Sequence, residues 1–175
     1  MPDPLEARAE ENVVVREAQT VSESRTWPEQ HARMMRAHKR ATAATAATLE
    51  AQDDYYNFFA SCYHLKDWLK NDPSVPAAVG SEAETLFDSA THLRVCADLA
   101  NGIKHLRATR HTRIDPDSKL AAEHAAYQPD AFQSDAFQTQ EHIVVVAASQ
   151  SWDVREVADA CIAAWDAFLR ERHLM

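Results

Sequence analysis

Glycine is almost absent from this chain, which has only two, Gly80 and Gly102, among 175 residues. Tight turns and bulges often need glycine, whereas alanine, which is abundant here, has the highest helix propensity. This composition favours helix over sheet, and the length suits one domain with its own core. We therefore predict a single mainly helical domain, an up-and-down bundle with a small β-hairpin.

The composition also narrows the class of protein. Hydrophobic residues make up 46% and charged residues 26%, which is ordinary for a globular domain. No apolar run approaches the ~20 residues that span a bilayer, and the acidic N-terminus does not resemble a signal peptide. These features predict a cytoplasmic protein without membrane contact. The three cysteines, Cys62, Cys96 and Cys161, stand far apart among apolar residues, so we expect reduced, buried thiols rather than disulfides or zinc ligands, and no metal or cofactor.

Helical periodicity organises the first two thirds of the chain. Residues 1–27 read as an irregular arm, in which residues 12–15 could add a short strand, and residues 28–175 form the domain. The periodicity of residues 28–71 predicts one long helix or two helices with a bend. A capping box at Ser81 and Glu84 predicts a helix from about Glu82 to Asn101 or beyond. The predicted core faces contain Tyr55, Phe58, Cys62, Leu65 and Leu69 in the earlier helix, and Leu93, Cys96, Leu99, Ala100, Ile103 and Leu106 in the later one.

The last third combines loop, strand and helix signals. Residues 114–140 look loop-rich, with a turn at Asp115-Pro116-Asp117. The β-branched run of residues 142–146 predicts a strand. Its partner is either the segment near residues 121–127 or the N-terminal valines. Asp153 and Glu156 resemble a capping box, and the final helix should bury Val154, Val157, Cys161, Trp165 and Phe168.

The most informative polar pattern is a stripe along the later helix. Arg94, Asp98, Asn101 and His105 are spaced by four, three and four residues, which places them on one helix face. The stripe is either the solvated side of an amphipathic helix or a binding site. Gly102 lies within it, and this glycine either ends the helix in an Asn-Gly cap or lets another group approach the backbone.

A second polar set lies on the preceding helix. Asn57, His64 and Asn71 recur every seven residues, with Asp67 and Trp68 beside them. If the two sets face each other, within one chain or across a dimer, they form a cleft. A metal site of His64, Asp67, Asp98 and His105 lacks any compact ligand motif.

Basic residues follow the stripe at a three-residue spacing. They are Lys104, Arg107, Arg110 and Arg113. The net charge of −9 argues against nonspecific nucleic-acid binding over the whole surface. A local patch of this kind either holds a phosphate-bearing ligand, or is a solvated face or a surface for an acidic partner.

Two sequence segments carry a family resemblance. Residues 62–69 (CYHLKDWL) and 94–105 (RVCADLANGIKH) are similar to an uncharacterised group of bacterial helical proteins with HLKDW and CADLANGxKH motifs. The likeness covers roughly residues 50–110 and 140–170. More distantly, the architecture resembles HEPN domains of toxin–antitoxin and antiphage systems. That resemblance implies a homodimer with a metal-independent ribonuclease site where two polar helices meet, although ten residues separate Arg94 from His105 where the HEPN motif has four to six.

Two classes of function follow from these patterns. In the first, the chain is a HEPN-like ribonuclease or a binder of nucleotide or RNA phosphate. His105 is then the acid/base, Asn101 and Asp98 orient it, and His64 joins it from the facing helix. Phosphate is held by Arg94, Lys104 and Arg107. In the second class the chain is a non-catalytic helical module that binds a protein partner through the same stripe.

Overall fold

The computed structural model describes residues 26–105, 112–124 and 141–175. Within these ranges the chain forms five helices and one three-stranded antiparallel sheet of order β1-β2-β3. The helices are α1 (Trp27–Ala43), α2 (Leu49–Asn71), α3 (Ala77–Leu86), α4 (Thr91–His105) and α5 (Val154–Glu171). The strands are β1 (Lys119–His124), β2 (Glu141–Ala147) and β3 (Gln150–Asp153). The predicted mainly helical fold with a small sheet is confirmed. None of the described helices is long and apolar enough to cross a membrane.

Helix α2 is the centre of the domain, and α1, α3, α4 and α5 all pack against it. It is separate from α1, so the two-helix alternative for residues 28–71 is confirmed. Thr48 caps its N-terminus, where the hydroxyl accepts a hydrogen bond from the Ala51 N–H. All five residues of its predicted apolar face are buried, which confirms the periodicity argument. Residues 1–25 of the predicted arm lie outside the described residues. Its last two residues belong to the start of α1, with Thr26 at the N-cap and Trp27 as the first helical residue, so the arm prediction is wrong there.

The prediction of one helix from about Glu82 to Asn101 is wrong. Helix α3 already begins at Ala77, after Pro76, and the chain leaves the helix at residues 87–90 before α4 starts. Ser81 therefore lies inside α3, where its hydroxyl donates to the Ala77 carbonyl oxygen. Glu84 accepts a hydrogen bond from Lys66 instead of closing a capping box. At the break Phe87 is fully buried, with its ring against Trp165.

Gly80 is explained by close packing between α3 and α2. A Cβ atom at this position would lie 2.7 Å from the Cα atom of Lys70, which is too short for any real contact. We expect Gly80→Ala to lower the free energy of unfolding by roughly 1–2 kcal/mol, because overpacking strain exceeds the gain in helix propensity. Urea unfolding measures this loss. An unchanged or higher midpoint would show that the two helices separate without cost.

The sheet adds one strand to the predicted hairpin. The strand predicted at residues 142–146 is confirmed as β2, which pairs with β1 and β3. Residues 119–124 are strand rather than loop, so the partner near residues 121–127 is confirmed; the N-terminal valines lie outside the described residues. The predicted turn also forms, since the Ser118 N–H donates to the Asp115 carbonyl oxygen.

Strand β3 runs directly into α5. Asp153 ends the strand and caps the helix, and its carboxylate accepts hydrogen bonds from the backbone N–H groups of Arg155 and Glu156. This confirms the predicted helix start. The predicted core residues of α5 are all buried, and Trp165 at its centre donates its indole N–H to the Cys62 carbonyl oxygen of α2. Helix α5 is thereby fixed against the middle of the bundle.

Candidate functional site

A groove of about 1430 Å³ runs between α2 and α4. Asp53, Tyr56 and Asn57 line it from α2, Leu99, Gly102 and Ile103 line it from α4, and residues 116–119 form the third wall. We call it the α2–α4 groove. Ile103 is 50% exposed beside it, so the prediction that Ile103 belongs to the core is wrong. Leu106 lies outside the described residues.

Gly102 does not end its helix. Helix α4 continues to His105, so the Asn-Gly cap is wrong. A Cβ atom at Gly102 would have only one neighbour within 4 Å among the described residues, the Ser118 carbonyl oxygen at 4.0 Å. The described packing therefore leaves room for a side chain, in contrast to Gly80. The absence of a side chain widens the groove at this point.

Asp98 is a buried anchor for a loop. Asp98 is only 2% exposed to solvent. One carboxylate oxygen accepts a hydrogen bond from the Arg113 backbone N–H at 2.8 Å, and the other accepts from Ile114 at 2.6 Å and Asp115 at 3.0 Å. The idea that the whole stripe is a solvated face is therefore wrong at Asp98, because residues 113–115 cross over it. The carboxylate is already committed to backbone donors.

Only some of the other residues predicted to bind phosphate or to act as acid and base lie in the described part of the chain. Arg94 and Asn101 are half-buried, and the Arg94 Nε and Asn101 Nδ2 atoms are buried without a hydrogen-bond partner in the described part of the chain. Lys104 and His105 are the last two residues of α4. Arg107 and Arg110 lie outside the described residues. Arg113 is paired with Asp88 across 3.1 Å.

The structure does not bring His64 into the α2–α4 groove. Its side chain is half-exposed, and its Nδ1 atom lies 3.3 Å from a carboxylate oxygen of Asp67. Asn71 donates its side-chain amide to the Asp67 carbonyl oxygen. Of the three residues spaced by seven on α2, Asn57 alone lines the groove. The second polar set predicted on this helix is thus divided between two surfaces of the protein.

Asp67 provides a titration test of the His64 contact. The hydrogen bond from His64 lowers the pKa of Asp67 to about 2; partial burial opposes this shift, and Lys66 adds to it. A depressed folded-state pKa stabilises the fold above the ordinary value near 3.8, and this contribution disappears as the pH falls towards 2. We expect His64→Ala to raise the pKa of Asp67 towards its ordinary value, which NMR titration of the carboxyl carbon measures. An unchanged pKa would contradict this assignment.

On the α2 wall of the groove, sequence reasoning found only Asn57 and missed the other residues, although a signal exists. Asp53, Tyr56, Asn57 and Ala60 are spaced by three, one and three residues, as one helix face requires. Tyr56 also fixes the sheet to the bundle, because its hydroxyl accepts a hydrogen bond from the Leu120 N–H of β1. The groove wall on residues 116–119 has no such pattern and follows only from the tertiary fold.

Comparison of the chain with protein-family models, with curated proteins and with solved structures found no match.

Proposed function

We propose that this chain is a HEPN-like homodimeric protein of a bacterial toxin–antitoxin or defence system that binds RNA or nucleotide phosphate in the α2–α4 groove. The end of α4 carries the residues for metal-independent RNA cleavage. His105 serves as the proton donor and acceptor, since imidazole titrates near neutral pH. Lys104 and Arg107 hold phosphate. Arg94 and Asn101 are half-buried and do not line the groove, so they reach a bound phosphate only from its edge.

Gly102 is the observation that carries this proposal. Of the two glycines in the chain, Gly80 has a steric reason in the contact with Lys70, whereas Gly102 has none among the described contacts. A helix-interior glycine costs roughly 1 kcal/mol relative to alanine. A role in ligand binding accounts for that cost, because Gly102 opens the groove one turn before His105. A ligand there can approach the helix backbone.

The role of Asp98 changes in this proposal. Both of its oxygens accept backbone hydrogen bonds, so it neither transfers a proton nor orients His105 directly. It acts as a positioning residue, because the loop it holds continues into the groove wall at residues 116–119. His64 is not part of the proposed site.

Substitutions at Gly102 test the ligand site. We expect Gly102→Ala to raise the free energy of unfolding by roughly 0.5–1 kcal/mol through helix propensity. Gly102→Leu should remain folded but fill the groove and weaken binding of a labelled single-stranded RNA about tenfold, or ~1.4 kcal/mol. Fluorescence anisotropy measures binding and urea unfolding measures stability. A destabilised alanine variant would mean that Gly102 is a packing residue, and unchanged RNA affinity in Gly102→Leu would move the ligand elsewhere.

A non-catalytic protein-interaction module is the second candidate. The engaged carboxylate of Asp98 and the acidic Asp53 in the groove favour it. Ile103 adds an exposed apolar contact at the same place. In that case the groove holds a segment of a protein partner. The variant Ile103→Asp should then no longer bind that partner, and the wild type should not cleave RNA.

A further inference from the structure

Three cysteines from three different helices meet in the core. Cys62 of α2, Cys96 of α4 and Cys161 of α5 are all fully buried, as the sequence predicts. Their sulfur atoms lie within 4.8 Å of one another, which the sequence does not predict. Each of two thiols also has a backbone acceptor at 3.6 Å: Cys96 donates to the Phe59 carbonyl oxygen, and Cys161 to that of His92. The cluster is therefore a defined arrangement of soft donor atoms.

A histidine lies on the same helix as one of these cysteines. His92 precedes Cys96 by four residues on α4, so the two side chains share a helix face. The Nε2 atom of His92 is buried and has no hydrogen-bond partner in the parts of the chain that are described. The backbone carbonyl oxygen of His92 also accepts the hydrogen bond from the Cys161 thiol. A buried nitrogen without a partner, on a residue whose backbone contacts one of the thiols, is a second feature that suits a ligand.

We propose that Cys62, Cys96, Cys161 and His92 form a binding site for a zinc ion. Three cysteines and one histidine are an established structural zinc donor set, with tetrahedral geometry and Zn–S distances of about 2.3 Å. Such distances place the sulfurs ~3.8 Å apart, so the three sulfurs need to contract by at most about 1 Å. The ring nitrogens of His92 do not lie within 4.8 Å of all three sulfurs, so binding also requires the imidazole to move towards them. Thiolate and imidazole donors select zinc over magnesium and calcium, which require oxygen ligands.

Zinc binding is coupled to the loss of protons from the site. Each cysteine sulfur that is still a thiol loses its proton to solvent as its bond to zinc forms, and neutral His92 donates the Nε2 lone pair. Three thiolates and one divalent ion leave the occupied site with one negative charge, whereas three thiols without the metal are neutral. Because all three sulfurs are buried, the ion enters during folding or local opening. It binds the assembled four-residue site more tightly than the unfolded chain, so it stabilises the fold.

The test uses cobalt as a spectroscopic substitute for zinc. The reduced full-length chain is unfolded, refolded with excess Co²⁺ under an inert atmosphere, and passed through a desalting column. We expect one cobalt ion per chain, an intense thiolate-to-cobalt absorption in the near ultraviolet, and visible bands typical of tetrahedral cobalt. Zinc should displace cobalt and raise the thermal midpoint. Wild-type protein that keeps less than about a tenth of an equivalent of cobalt, or keeps it without the thiolate absorption, overturns the proposal.

Three variants assign the ligands. Cys161→Ala, a small change in a core position, should abolish retention of the ion. His92→Gln should keep the thiolate absorption but shift the visible bands and weaken binding at least tenfold. The control His142→Ala removes an exposed histidine of β2 and should leave binding unchanged. If Cys161→Ala binds cobalt as well as the wild type does, the proposed metal site is wrong. If the visible bands are unchanged in His92→Gln, His92 is not a ligand of the metal.

Discussion

Asp98→Ala is expected to lower the free energy of unfolding by roughly 3–5 kcal/mol, because three backbone N–H groups lose a buried charged acceptor at once. The loop of residues 113–115 then has no partner on α4, and the groove wall that continues from it shifts. RNA binding should weaken in parallel with the loss of stability. Urea unfolding and hydrogen exchange of the Ile114 amide measure the two effects.

Asp98→Asn provides the matched control. The amide preserves the shape and one acceptor oxygen but removes the charge and the second acceptor, so we expect about half of the alanine effect. The exchange protection of Ile114 and Asp115 should fall with it. A loss below about 1 kcal/mol for Asp98→Ala would contradict the anchor, because it would mean that water replaces the carboxylate at no cost.

His105→Ala should reduce RNA cleavage by about 10²–10⁴-fold in the presence of a chelator, the range expected for removing a general acid or base. This prediction depends on the proposed function. The substrate is a labelled single-stranded RNA, and the cleavage rate is measured at saturating protein. Circular dichroism should show both proteins equally folded.

Two comparisons make this result specific. His142→Ala removes an exposed histidine of β2 that does not line the α2–α4 groove, and it should cleave at the wild-type rate. Undiminished cleavage by His105→Ala would place the chemistry elsewhere or reveal a contaminating nuclease. Absence of cleavage by the wild type, with partner binding that depends on Ile103, would favour the interaction module instead.

The sequence predicts the elements whose signals are local. The apolar faces of α2 and α5 repeat at the helical period, and each such face is buried in the bundle. The capping carboxylate of Asp153 stands beside the residues it caps, so its role is visible in the sequence. The break between α3 and α4 is not predictable in this way. Ser81 and Glu84 have the spacing of a capping box, but only the tertiary fold shows that Phe87 is needed in the core.

The candidate site depends on contacts that have no sequence signal. The partners of Asp98 are backbone N–H groups about 15 residues away, and every residue except proline has such a group. The three cysteines come together because α2, α4 and α5 converge, and their separations in the sequence carry no trace of this. The stripe of Arg94, Asp98 and Asn101 does fall on one face, as the helical period requires, but the period cannot show that a loop covers it.

The hydrogen bonds of the loop have a consequence for ligand binding. Asp98 holds residues 113–115 against α4, and Asp115 in turn accepts a hydrogen bond from the Ala148 N–H in the turn between β2 and β3. This wall of the groove is thus tied to the bundle on one side and to the sheet on the other. Its conformational entropy is lost when the chain folds, not when a ligand arrives. A ligand that fits therefore meets a preorganised surface, and none of its binding free energy is needed to order these residues.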